Sequence, residues 1–170
     1  FNFEHKNIQK FILKSENQIT KLYNKKKGVF TNYDLKNKKE ISVPSITNYF
    51  ILFADLKNQF INKKIIKNLK KHNKEKRYLF SSIKPNYNKF EEKRYWRGPV
   101  WINCNWIIYQ GLKNKDKKFA DKIKETTINL IRKSGFYEYY SCKTGKAFGA
   151  SNFSWTASLF LDLLLDKQQR

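Results

Sequence analysis

Apolar positions recur at helical spacing along most of the chain, in two kinds of segment that alternate. Between Phe3 and Asn24, residues Ile8, Phe11, Ile12, Ile19, Leu22 and Tyr23 form one stripe, with Lys, Glu and Gln opposite. The segment SITNYFILFADL, from Ser45 just after Pro44, is apolar almost all round, so it predicts a helix capped by Ser45 and buried on most sides. QFINKKIIKNLKK from Gln59 is one-sided again, with Phe60, Ile61, Ile65, Ile66 and Leu69 against Lys. WINCNWIIYQGL, from Trp101, carries no charge and predicts another buried helix. The stripe Phe119, Ala120, Ile123, Thr127, Leu130 and Ile131 makes the stretch from Asp116 to Lys133 amphipathic, and SWTASLFLDLLL, from Ser154, returns to the buried kind.

Six helices that alternate between one-sided and fully apolar predict an all-α fold of stacked antiparallel helical hairpins, with an outer and an inner layer. The links agree. Inner helices pass to outer ones through short links near Lys57 and near Lys113, whereas outer helices pass to inner ones through long links at 25–44, 72–99 and 134–153. All three long links then fall on one rim, where a helical scaffold usually carries its site. The first link contains GVFTNYDLKNKKEISV, whose alternation predicts a small β-hairpin around KNKK. A closed barrel of such hairpins needs about twice as many helices, so the chain forms an open stack or half of a larger domain.

Composition changes this picture little. The formal charge is +22, but only five residues are Arg and the Lys comes with abundant Asn, as an AT-rich coding sequence would produce. The Lys is spread over every outer helix instead of gathered at one face, so nucleic acid is an unfavoured partner, kept as an alternative reading. No apolar run is long enough to span a membrane, and the N-terminal residues lack the apolar stretch of a signal peptide. The first residue is Phe, which suggests a processed or incomplete N-terminus. Cys104 and Cys142 have no pairing framework and are expected as free thiols, which points to the cytoplasm. His5 and His72 stand among Lys and polar residues and resemble neither ligand nor base. Without a carboxylate cluster, no metal is expected, and nothing calls for a cofactor.

Chemistry concentrates in the two remaining long links. RYWRGPVWINCNW places Tyr95, Trp96, Arg97, Gly98 and Trp101 at the mouth of a helix together with Asn103 and Asn105. Either the tryptophans plug the core, or indole faces and polar side chains serve a hydroxyl-rich ligand whose groups would pair the asparagines. In SGFYEYYSCKTG a single carboxylate, Glu138, stands among Phe136, Tyr137, Tyr139 and Tyr140, and it is the only acidic residue between Glu125 and Asp162.

YWRGPVWINCNWIIYQGL followed by GFYEYYSCKTGKAFGASNFSW resembles the C-terminal part of glycoside hydrolase family 63, nearest its mannosylglycerate/glucosylglycerate hydrolase branch. The resemblance implies an (α/α)6 barrel, of which residues 1–170 would form the C-terminal half without a second domain. It also implies hydrolysis of α-glycosidic bonds with inversion by an Asp general acid and a Glu general base. The base falls on Glu138, in the pattern made with Tyr140, Thr144 and Gly145. Contacts to the sugar fall on Trp96, Gly98 and Trp101, with Tyr95, Arg97 and Trp155 as further candidate substrate-binding residues.

Inversion needs two carboxyl groups about 6.5–9.5 Å apart, one protonated and one ionised. Asp34 lies in the hairpin on the same rim, but Lys36, Lys38 and Lys39 favour its ionised form, the wrong state for an acid. In the family the acidic Asp lies far upstream of the base, so the resemblance implies a carbohydrate-active chain that holds the base and part of the sugar pocket, with the acid on the N-terminal half of the barrel. A non-catalytic sugar-binding remnant is the other alternative.

Overall fold

The computed structural model describes residues 5–72 and 80–166. Among these, the α-helices are α1 (His5–Thr20), α2 (Gln59–His72), α3 (Ile102–Leu112), α4 (Lys117–Ser134) and α5 (Ser154–Leu165). Three antiparallel hairpins accompany them: β1 (Tyr23–Asn24) with β2 (Val29–Phe30), β3 (Asn32–Asp34) with β4 (Lys39–Ile41), and β5 (Tyr137–Tyr140) with β6 (Ala147–Ser151). The β3–β4 pair, in register Asn32↔Ile41 through Asp34↔Lys39, is the hairpin expected around KNKK. Among the described residues the helices stack without closing into a barrel.

One expected α-helix takes another form. The segment after Ser45 is a 3-10 helix, Ile46–Leu52, whose N-terminus is a capping box between Ser45 and Asn48. Its run of β-branched and aromatic residues has weak α propensity, and the buried Asn48 is held by the carbonyl of Phe30. The chain then turns through Asp55 at φ 53°, which ends the helical path before Gln59.

Helix α3 is the centre of the stack, packed against the 3-10 helix, α4 and α5. Ile108, Tyr109 and Leu112 are fully buried, as are Ile123, Leu130 and Ile131 of the α4 stripe. Gly111 permits the closest approach: a Cβ there would lie 2.6 Å from the Leu52 carbonyl carbon and 2.7 Å from Phe53 N. Helix α4 begins at Asp116, whose carboxylate caps Phe119 N at 3.2 Å, and ends at Gly135 with φ 82°.

Burial departs from the sequence pattern at three places. Helix α5 forms over the residues expected, yet only Thr156 and Leu163 are buried, while Leu161 is 57% and Leu165 74% exposed. Helix α1 has no buried residue among those whose side chains are described, and Phe11, Ile12 and Leu13 face outward. His72, expected among polar residues, is buried instead. It completes the stripe of Ile65 and Leu69 and meets the rings of Tyr49 at 5.7 Å and Phe80 at 6.0 Å. The side chain of His5 lies outside the described residues. Cys104 and Cys142 are buried, and neither is in a disulfide.

The three long links do meet on one rim, sewn together by backbone hydrogen bonds. Lys84 N donates to Pro44 O at 3.0 Å, Ser82 N to Pro99 O at 2.8 Å, and Val100 and Tyr140 exchange bonds of 2.8 and 3.0 Å. A ribbon of single bridges thus runs from the first link through the second to β5. Its polar backbone is paired while its residues are buried, so the rim is rigid where the site would sit.

Candidate active site

The loop before α3 is shaped by Gly98. Its N–H donates to Ser82 Oγ at 2.9 Å, and any Cβ would run into the Glu91 carbonyl, so only glycine lets the chain pass beneath the turn at 91–92. Gly98 is buried, and its place in this structure is the support of the loop rather than its outer surface. Arg97 pairs with Glu91 at 2.9 Å and reaches the carbonyl of Lys89, which fastens the same turn. Tyr95 holds a φ of 35°, a conformation that costs a non-glycine residue of order 1–3 kcal/mol and that clusters at functional sites.

That conformation builds an aromatic stack. Trp96 lies on Trp101 with centroids 4.3 Å apart and planes 10° apart, and Tyr95 meets the edge of Trp101 at 4.9 Å. Tyr139 approaches Trp101 at 5.1 Å and Tyr95 at 6.1 Å, which joins the loop to β5. Trp101 is 2% exposed and its indole N–H is spent on Tyr95 O at 3.0 Å, whereas Trp96 is 41% exposed. The two readings of the tryptophans therefore divide between them: Trp101 is core, and Trp96 is a supported ring facing outward.

Glu138 sits half-buried in β5. Opposite it the register slips: Tyr137 pairs with Ser151 and Tyr139 with Phe148, so Gly149 and Ala150 together face the single residue Glu138. This β-bulge aims the Ala150 N–H at Glu138 Oε2, 3.3 Å away. Gly149, at φ 74°, lies against both neighbours of the site; a Cβ there would be 2.5 Å from Glu138 Oε2 and 2.9 Å from Tyr139 Cε1. Carboxylate and aromatic stack are thus adjacent.

Supports beneath the hairpin are buried and polar. The Tyr140 hydroxyl donates to Gly135 O at 2.6 Å and accepts from Tyr137 N at 3.0 Å, and burial raises its pKa. Ser141 Oγ accepts from the amides of Lys143 and Thr144 at 3.1 and 3.0 Å and donates to Glu92, which fixes the Thr144–Gly145 turn. Arg97 and Tyr140 are thus bonded to groups other than the Glu138 carboxylate.

The remaining candidates are dispersed. Trp155 is exposed in the first turn of α5, near Phe153 at 6.4 Å and outside the described ring contacts of the stack. Thr156 next to it donates to Tyr137 O at 2.7 Å and anchors α5 to β5. Asn105 is a structural group, bonded to Trp101 O and Phe80 N, while Asn103 Oδ1 is buried with no hydrogen bond among the described residues. Asp34 is half-buried, and hydrogen bonds from Asn37 hold its carboxyl below the usual range, which agrees with its exclusion as an acid. Sequence reasoning missed Gly149, Ala150 and Ser141; a glycine inside AFGAS was the available signal for a bulge.

Residues 4–156 match the model of the mannosylglycerate hydrolase MGH1-like glycoside hydrolase domain. The mannosylglycerate hydrolase of Thermus thermophilus is 32% identical over 155 residues, which covers 91% of this chain and 37% of that protein. That of Rubrobacter radiotolerans is 30% identical over 151 residues, 86% of this chain and 34% of the relative. A crystal structure of a family 63 mannosylglycerate hydrolase from Thermus thermophilus in complex with glucose superposes with a TM-score of 0.85 at 31% identity, covering 92% of this chain and 40% of that one. The chain therefore spans between a third and two fifths of the length of these relatives.

Proposed function

The chain belongs to the MGH1-like glycoside hydrolases of family 63, and from that premise we propose that it supplies the general base and part of the sugar pocket of an inverting α-glycosidase. The observation that carries this reading is the adjacency of one half-buried carboxylate, Glu138, to an aromatic stack that ends in the outward-facing Trp96. The substrates it fits are glucosyl or mannosyl conjugates of glycerate, or short α-glucosides.

In the proposed reaction a pyranose lies with its apolar face on Trp96, which Trp101 backs from below. Glu138, ionised, takes a proton from a water molecule as that oxygen bonds to the anomeric carbon. The glycosidic C–O bond breaks on the opposite face, and its oxygen receives a proton from a carboxylic acid. The unpaired Oδ1 of Asn103 is an acceptor that a hydroxyl could satisfy.

That acid belongs to the complementary part of the domain in this reading. Among the described residues, Asp34 is held in the ionised state, and Glu91 and Glu92 are engaged with Arg97 and with Ser141 and Lys143. The apolar faces left open on α1 and α5, the first and last helices, fit the two seams of a half barrel. In an enzyme that contains both parts, Glu138→Gln should lower kcat by about 10²–10⁴-fold with KM little changed. An unchanged kcat would remove Glu138 from the base role.

A further inference from the structure

We propose that the bulge at Gly149 and Ala150 is the device that positions the Glu138 carboxylate, with Gly149 and Ala150 as positioning residues. This rests on the reading of Glu138 as the base but concerns a different observation, the geometry of the strand opposite.

In a regular antiparallel ladder one residue of β6 would face Glu138, and the β6 amides would pair with backbone carbonyls of β5. Here two residues face it, and the Ala150 N–H points to a side-chain oxygen instead. The donor engages Oε2 at 3.3 Å, and Oε1 has no hydrogen bond among the described residues. One oxygen is therefore anchored and the other is left to accept a proton from water.

Gly149 is required twice over. Its φ of 74° lies in the left-handed region that favours glycine, and its missing side chain makes room for the carboxylate. A methyl there would stand 2.5 Å from Oε2, 2.8 Å from Glu138 Cβ and 2.9 Å from the Tyr139 ring. A real Cβ does not approach so closely, so Gly149→Ala must displace the Glu138 side chain, the Tyr139 ring or the bulge.

The test is made on residues 1–170 by NMR, independently of turnover. The Ala150 amide proton should shift as pH falls through the carboxylate range, and this response should vanish in Glu138→Gln. Gly149→Ala should abolish the same response while the amides of Tyr140 and Val100 keep their positions. Should Gly149→Ala not fold, a chain joined at Cys142 to a synthetic segment with lactate in place of Ala150 removes only the N–H. In that ester the side-chain carboxyl carbon resonance of Glu138 at neutral pH should move from its position in the parent, because Oε2 has lost its donor. An Ala150 amide that ignores pH in the parent, a response that survives Gly149→Ala, or an ester in which the Glu138 carboxyl carbon resonance stays where it is in the parent overturns the proposal. The base role stands or falls separately, on the kcat of Glu138→Gln.

Discussion

Helices α3 and α5 carry nearly the same pattern and meet opposite fates. INCNWIIYQGL and SWTASLFLDLLL are both apolar almost all round, but α3 is enclosed by the 3-10 helix, α4 and α5, while α5 exposes Trp155, Leu161, Leu164 and Leu165. An all-apolar helix states what it needs as neighbours, not what the chain provides. In α3 the need is met within 170 residues. In α5 one side is met by α3, α4 and β5 and the other is left open.

The largest effects should fall on α3. Gly111→Leu, which would drive a side chain into the Leu52–Phe53 backbone, should abolish cooperative unfolding, and Ile108→Ala should cost about 2–5 kcal/mol by urea denaturation. Leu163→Ala, at the one leucine α5 buries, should cost about 2–3 kcal/mol. By contrast Leu161→Lys should change stability by less than about 0.5 kcal/mol in residues 1–170. A cost as large as that of Ile108→Ala would show that α5 is enclosed in solution.

Thiol chemistry sharpens the same contrast. Burial pushes the Cys104 thiol of α3 from 9.0 up to about 12, and the Tyr49 phenol from 10.0 to about 12. Both groups ionise at lower pH in the unfolded chain, so their contribution to stability is complete below about pH 9 and is lost as pH rises toward 12. Urea midpoints should therefore fall between about pH 9 and pH 11, less so in Cys104→Ala. A cysteine placed by Leu161→Cys should react with a thiol reagent near pH ~8 while Cys104 stays protected until the chain unfolds.

The helical stack was legible because its period is written in the residues: four α-helices form within a residue or so of the expected limits, and the rim was deduced from link lengths alone. The 3-10 helix was not, since an apolar run of that length reads the same in either helix, and Asn48 and Asp55 decide it through contacts and a backbone angle. The β3–β4 hairpin shows its alternation, whereas β5–β6 hides it in YEYY and in a strand with glycine. At the site, Trp96, Trp101 and Glu138 could be singled out by type. That Trp101 is the hidden layer and Arg97 a clamp on Glu91 depends on packing, which spacing does not encode.

If, as proposed, the chain supplies a base and a sugar platform but not the acid, it should be folded and inert. Assay of purified residues 1–170 with mannosylglycerate and glucosylglycerate tests this most directly. No release of hexose above the buffer blank is expected from the folded chain; steady turnover that disappears in Glu138→Gln would show that the acid is present within these residues and would contradict it.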